Sequence, residues 1–415
     1  MIVAAGQTHL ILGAGQAGAW AAMAMRQSGF AGRILLVGAE PGYPYERPPL
    51  SKAMLLAEPA PPPSLFHPPE RYAERNIEIL ANARAAAIEP AAGRVILDDG
   101  RHLGFDKLLI ATGGAARRLS IPGGEHALVL RDLADARVLR AGLTGATRVV
   151  CIGAGVIGLE VAAAARLRGA AVTVLEEAPR PMGRAVSPAT SAYVAGLHRD
   201  AGIDIRCSVR VQAIEAQGAQ GFRVLTDQGT YRADCVVAGI GMVRNDGIAR
   251  QAGIATENGI LVDTAGRTNC PGIFAAGDVA AFPHPLFAPP LFPGRLRLET
   301  WRHAQNHGSA VARALCGEEI VYDDIPWFWT DQLGVNLQVA GLPALAVHDI
   351  VRPGARFLEF HLDAENRLIG ATGADAPRDI RAAQALIRAR VPLNPAQLAD
   401  PGVALATLVR AAGRG

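Results

Sequence analysis

Apolar runs separated by glycine give the chain a repeating signal. Residues 9–12 form a short apolar run that reads as a buried parallel strand. An alanine- and methionine-rich helical pattern follows over residues 19–27, Gly29 ends it, and residues 33–37 (RILLV) read as the next strand. The same order returns at residues 148–177. There a β-branched strand over 148–152 leads to a helical pattern ending at Leu167, a stop at Gly169 and a strand over 171–175. Further strands are predicted at 76–80, 94–97, 107–111, 222–225, 231–237, 272–276, 335–340 and 356–362. Asp98-Asp99-Gly100 reads as a hairpin turn, residues 58–70 as an exposed proline-dense connection, and 299–315 as a helix.

Each copy of the strand–helix–strand unit carries a glycine motif at its first turn. These are Gly13-Ala-Gly15-Gln-Ala-Gly18 and Gly153-Ala-Gly155-Val-Ile-Gly158. The first glycine permits the tight turn, the second lets backbone approach a pyrophosphate, and the third packs helix on strand. The diphosphate then sits at a helix N-terminus, where free N–H groups and the dipole favour negative charge. Glu40 and Glu176 stand where the distal acid is required, so both copies read as dinucleotide sites. Glu176 accepts hydrogen bonds from ribose hydroxyls and repels a 2′-phosphate. NADH is therefore expected in preference to NADPH, with Arg180 and Arg184 tempering that preference.

Composition bounds the rest. The chain has 415 residues, 50% hydrophobic and 19% charged, enough for two or three globular domains. A net charge of +3 is too small to indicate nucleic acid. The positive balance lies in residues 377–415, with six arginines against two aspartates. Five scattered cysteines without a CxxC or CxxxxC pair suit reduced thiols in a cytosolic protein and exclude a redox-active disulfide after Glu40. Cys151 and Cys235 lie in apolar runs and read as inert core residues. The apolar N-terminus lacks a basic region and is used by the first nucleotide unit, so no signal peptide is expected. No apolar run reaches transmembrane length.

Other segments carry possible chemistry. Arg47 and Lys52 follow the first nucleotide unit in the stiff loop Tyr45-Glu-Arg-Pro-Pro-Leu-Ser-Lys52, and Lys52 is one of only two lysines. Thr112-Gly113 and Gly239-Ile240-Gly241 are matching strand ends. Gly277-Asp278 is expected to open a helix that could hold a phosphate or ribityl group. His303 and His307 have the i, i+4 spacing of helical metal sites, but no third ligand presents itself, so no metal is expected. The apolar loop over 282–294 is open to two readings, a packed loop or a partner-facing one. Trp327 and Trp329 could cover a flavin edge or simply pack in a core.

The motifs GAGQAG, YERPPLSK, IATGG, GAGVIGLE, GRTNCPGIFAAGDVA, ETWRHAQNHG and PWFWTDQ together resemble the NADH-dependent ferredoxin reductases of bacterial Rieske dioxygenase and P450 systems. The resemblance covers nearly the whole chain, and YERPPLSK and PWFWTDQ are its specific parts. It implies an α/β fold with two Rossmann-like dinucleotide-binding domains, the FAD domain interrupted by the NAD domain, plus a C-terminal α+β domain. The expected boundaries are 1–114 and 244–322 for FAD, 115–243 for NAD and 323–415 for the C-terminal domain. By resemblance, Gly13, Gly15, Gln16, Gly18, Glu40, Arg47, Lys52, Ala83, Thr112, Gly113, Arg131, Asp278 and Trp301 line FAD. Gly153, Gly155, Val156, Ile157, Gly158, Glu160, Glu176, Arg184 and Gly241 line NADH. The resemblance places Lys52 near the flavin's reactive edge and Glu160 near the nicotinamide. It makes Lys52, Glu160, Trp327 and Trp329 the residues closest to the chemistry. NADH yields two electrons as hydride and a 2Fe–2S ferredoxin takes one at a time, so a flavin is the bridge. An acidic ferredoxin is the expected partner. The competing readings are a flavoprotein of the apoptosis-inducing-factor type and an NADH oxidase.

Overall fold

The computed structural model describes residues 6–289 and 291–413, and the chain divides into two compact units. One comprises residues 1–46, 63–115 and 243–326; the other comprises 47–62, 116–242 and 327–415. No helix among the described residues is long and apolar enough to cross a membrane.

The first unit is built on a five-stranded parallel sheet in the order Ile273–Ala275, Lys107–Ile110, Thr8–Leu12, Arg33–Val37, Ile77–Leu80. The strands Thr8–Leu12, Arg33–Val37 and Lys107–Ile110 are largely buried on both faces, which suits continuous apolar runs such as Leu-Leu-Val. The helices Gln16–Gln27 and Trp301–Leu315 approach closely. A Cβ on Gly308 would lie 2.3 Å from the Ala17 carbonyl oxygen, so only glycine permits that spacing. Thr300 caps the second of these helices, its hydroxyl accepting from the His303 N–H. The helix therefore begins at Trp301, two residues later than its apolar pattern suggests. An antiparallel meander of Ala85–Glu89, Arg94–Leu97 and His102–Gly104 completes the unit, with its second turn at the expected Asp-Asp-Gly.

The second unit repeats the theme with a four-stranded parallel sheet. Its order is Asp204–Cys207, Ala171–Glu176, Arg148–Ile152, Cys235–Ala238. A second meander runs through Val211–Ala216, Phe222–Thr226 and Gly229–Ala233. The same unit holds a five-stranded antiparallel sheet in the order Trp327–Gln332, Val335–Gly341, Leu368–Ala374, Leu358–Leu362, His348–Val351. The helix Pro377–Ala389 packs on that sheet, giving the α+β character expected of the C-terminal segment. Leu337, Val339 and Ala374 from this sheet share one apolar cluster with Leu159, Val161 and Val174.

Other expectations need correction: the strand expected over 356–362 starts at Leu358, and the helix expected over 19–27 starts at Gln16. Residues 231–237 do not form one strand, because Asp234 breaks the run and sends its two halves into different sheets. The Asp234 carboxylate accepts from the backbone N–H groups of Thr147 and Arg148 and pairs with the Arg148 guanidinium at 2.7 Å. The strand predicted from residue 76 starts at Ile77, since Asn76 sits at φ +49°, outside the extended region. Gly277–Val279 is a single 3-10 turn rather than the start of a helix, and a two-residue strand follows it. The early part of the apolar loop is packed: Phe282 and Phe287 are buried, and Phe282 exchanges backbone hydrogen bonds with Leu296. Pro290, within that loop, lies outside the described residues.

Candidate functional site

The two glycine turns have the same internal logic. Gly13 adopts φ +112°, and a Cβ there would fall 2.2 Å from the Ala111 carbonyl oxygen; a Cβ on Gly18 would fall 1.9 Å from that of Gly13. In the second copy, a Cβ on Gly153 would lie 2.6 Å from the Gly239 oxygen and one on Gly158 2.1 Å from the Gly153 oxygen. The outer glycines of both motifs are thus demanded by the protein's own backbone. The middle ones are not. A Cβ on Gly15 would meet nothing within 4 Å, and one on Gly155 only the Gly239 oxygen at 3.7 Å, an ordinary contact.

Each open space adjoins a helix N-terminus without a side-chain cap, at Gln16 and at Val156. Such ends carry unsatisfied N–H groups and a partial positive charge, which a diphosphate satisfies. The residues present therefore fit a dinucleotide at both turns.

The distal acids differ. Glu176 ends its strand, and its carboxylate accepts from the backbone N–H of Ala154 at 2.6 Å and of Ala178 at 2.8 Å. These bonds tie the acid to the glycine turn and leave lone pairs for a ribose. Glu40 lies past its strand and is bonded by the Tyr45 hydroxyl. Ala83 donates its N–H to the Gly38 oxygen, and Asn82 donates to the Glu40 oxygen, so Ala83 and Glu40 belong to one corner.

In the first unit, Gln16 donates from Nε2 to Gln305 at 3.1 Å, while its buried Oε1 has no partner among the described residues. Thr112 and Gly113 are clasped by Asn245, which donates to both of their carbonyls and accepts from the Thr112 hydroxyl at its own. The Trp301 indole donates to Glu46, whose carboxyl is pushed up by burial. The backbone N–H of Gly277, beside Asp278, donates to His307 Nδ1 at 3.2 Å. His303 and His307 are both buried among Phe282 and Tyr322, and desolvation lowers both pKa values, that of His307 to about 3. Both rings are neutral, and one supports the Gly-Asp turn.

In the second unit, Arg47 donates to the Arg131 carbonyl at 2.7 Å, which brings two guanidinium-bearing residues together. Gly241, at φ +102°, lies beside Arg184: a Cβ there would be 3.6 Å from the guanidinium. Ile157 is exposed and Val156 half-buried at the open end of their helix. Lys52 Nζ pairs with Glu160 Oε2 at 2.8 Å and lies 4.0 Å from Asp331 Oδ2. Trp327 and Trp329 stack at 5.4 Å, half-buried, on the strand face opposite Phe328, which packs on the core. Motif reading missed the Ser51, Thr330 and Gln332 side chains around Glu160. The available signal was a lone carboxylate in the otherwise apolar stretch VIGLEVAAAA.

Comparison with known proteins places the chain in a family. Residues 7–308 match the family model of the pyridine nucleotide-disulphide oxidoreductases, and residues 327–409 match the reductase C-terminal domain. The chain is 40% identical to the ferredoxin–NAD(+) reductase component of the p-cumate 2,3-dioxygenase system of Pseudomonas putida, over 95% of this chain and 97% of that one. It superimposes on the ferredoxin reductase for the CYP199A2 system from Rhodopseudomonas palustris with TM-score 0.93 and 35% identity, covering 97% of this chain and all of that one. The reductase in the covalent putidaredoxin reductase–putidaredoxin complex gives TM-score 0.92 and 35% identity, covering 99% and 100%. The chain belongs to the pyridine nucleotide-disulphide oxidoreductase family, and within it to the FAD- and NAD-dependent ferredoxin reductases.

Proposed function

We propose that this protein is an FAD-dependent NADH:ferredoxin oxidoreductase, which takes electron pairs from NADH and passes them singly to a 2Fe–2S ferredoxin serving a Rieske dioxygenase or a P450. The observation that carries this reading is the duplicated glycine turn with an open middle position, one in each compact unit. It occurs in a chain whose five described cysteines include no disulfide.

In this reading Gly13, Gly15, Gln16 and Gly18 hold the FAD diphosphate, and Glu40 with Ala83 holds its adenosine end. Arg47, Lys52, Thr112, Gly113, Arg131, Asp278 and Trp301 supply the other FAD contacts. Gly153, Gly155, Val156, Ile157 and Gly158 bind the NADH diphosphate, Glu176 its ribose, and Arg184 with Gly241 the neighbouring wall. The domain division is 1–114 with 244–322 for FAD, 115–243 for NAD and 323–415 for the C-terminal domain. The cytoplasm is the compartment that suits its reduced thiols.

Bound FAD supplies the two-electron to one-electron conversion. The chain's own work is charge placement and access. Lys52 holds a cation where negative charge develops, and Glu160 fixes that ammonium from a buried position. Trp327 and Trp329 shape the way out. The arginine-rich C-terminal segment favours an acidic ferredoxin. The test is NADH-driven reduction of a 2Fe–2S ferredoxin by the purified yellow protein. The proposal expects turnover far above that of free FAD; turnover no faster than free FAD would overturn it.

A further inference from the structure

A line of buried polar side chains runs back from the Lys52–Glu160 pair within the same compact unit. Glu160 Oε2 accepts from the Ser51 hydroxyl and from Lys52, and Glu160 Oε1 accepts from the Thr330 hydroxyl at 2.7 Å. Thr330 Oγ1 in turn accepts from Gln332 Nε2 at 2.7 Å, and Gln332 Oε1 faces His198 Nε2 at 2.9 Å. Thr330, Gln332 and His198 are fully shielded from solvent. They come from the strand Trp327–Gln332 and the helix Pro188–Asp200, while Glu160 comes from the helix Val156–Leu167.

The direction of every bond in this line is determined. Glu160, ion-paired with Lys52, can only accept. The Thr330 proton therefore points at it, and the freed lone pairs of the hydroxyl receive the Gln332 amide N–H. That orientation turns the amide oxygen towards His198, so His198 Nε2 carries the ring proton. His198 Nδ1 is buried and has no partner among the described residues, and burial lowers the ring's pKa, which keeps it neutral. All donors thus aim towards Glu160. An amide cannot hand a proton along, so the line orients and does not conduct.

We infer that Thr330, Gln332 and His198 are positioning residues that lock Glu160 in the rotamer facing Lys52, and so fix the charge pair used when NADH is oxidised. The inference rests on the catalytic reading of Lys52 and Glu160 given above. A buried network in which the donors are satisfied resists rotation, because turning one member would oppose donor to donor throughout. The sequence offered part of the signal, since Thr330 and Gln332 share the inward face of their strand with Phe328, where apolar residues are expected.

Two measurements test this. The first is the limiting rate at which NADH bleaches the flavin of the holoenzyme without oxygen or ferredoxin, together with the dissociation constant for NADH. T330V removes the donor at nearly constant volume, whereas T330S keeps it. T330V should slow the limiting rate about tenfold, the worth of one hydrogen bond to a charged group, and leave the dissociation constant within about twofold. T330S should restore the rate. On an E160Q background T330V should add nothing, since it acts through Glu160. The second measurement needs no bound cofactor: side-chain spectra of 15N-histidine protein should include, beside that of His307, an imidazole fixed as the Nε2–H tautomer that is lost in H198F.

A T330V rate equal to wild type, an equal slowing on the E160Q background, or an Nδ1–H tautomer at His198 would each overturn the inference. If T330V fails to fold, the tautomer of the wild-type ring still decides. The half-reaction contains no ferredoxin, so a failure of the ferredoxin reading is seen separately. E160Q at the wild-type rate would overturn the catalytic reading of Glu160 and this inference with it.

Discussion

The two glycine turns are the same device built twice, and they differ at the acid that follows. In both, the outer glycines are forced by backbone oxygens within 2.6 Å of a would-be Cβ, and the middle glycine faces open space. The second copy then pulls its acid back into the turn, because Glu176 accepts from Ala154 and Ala178. The first leaves Glu40 beyond the strand end, held by the Tyr45 hydroxyl. Packing also differs: the helix of the first copy is pressed against Trp301–Leu315 at Gly308, and that of the second lies against the 327–332 strand. The lesson is that the diphosphate cradle is dictated by backbone sterics. In the proposed function its surroundings decide which dinucleotide it serves.

The largest effects should come from exchanging glycines within each motif. G18A and G158A place a methyl about where a carbonyl oxygen stands, and each should destabilise folding by on the order of 3–5 kcal/mol. Urea unfolding of the apoprotein measures this. G15V and G155V should leave that stability nearly unchanged and separate the two copies. G15V protein should emerge colourless, while G155V protein should be yellow but bind NADH at least roughly a hundredfold more weakly. If both variants lost FAD alike, the two turns would not serve different dinucleotides.

The acids come next. E176R should shift the ratio of kcat/KM for NADH over NADPH by roughly tenfold or more towards NADPH, since it swaps repulsion of a 2′-phosphate for attraction. An unchanged ratio would count against Glu176 as the ribose-binding acid.

Acid stability is a gentler probe of the first unit. His307, in the first unit, has a folded pKa lowered to about 3, below the ordinary 6.5. Between those values the unfolded chain binds a proton that the folded chain does not. His307 should therefore take up to about 1.4 kcal/mol of stability per pH unit as pH drops below 6.5, and buried His9, His198 and His303, shifted the same way, add their own share. H307N removes the titrating group, so its stability should be flatter with pH; an equally steep profile would rule out His307 as the source. The smallest effect expected is ionic. Ferredoxin reduction should slow about three- to tenfold between low and physiological salt if the basic C-terminal segment steers the encounter.

Much of the first-order architecture was legible. Strand 33–37, both glycine turns and the Asp-Asp-Gly hairpin follow from local pattern, because parallel strands and tight turns impose their demands on neighbouring residues. The failures were decided elsewhere in the chain. Asp234 ends a strand because the N–H groups of Thr147 and Arg148, far away in sequence, need an acceptor. Gly277 bends into a short turn because His307 waits for its N–H. The surroundings of Glu160 were hidden for the same reason: Thr330 is 170 residues away, and a threonine on a strand looks ordinary until its partner is known.

The central claim is a device with two dinucleotide pockets that converts pairs of electrons into single ones. The most direct test is an anaerobic titration of the purified holoenzyme with a limiting amount of NADH and excess oxidised 2Fe–2S ferredoxin. Two ferredoxins should be reduced for each NADH consumed, and none when FAD is stripped from the protein. NADH consumed with the ferredoxin left oxidised, or ferredoxin reduced equally well by the FAD-free chain, would contradict the account.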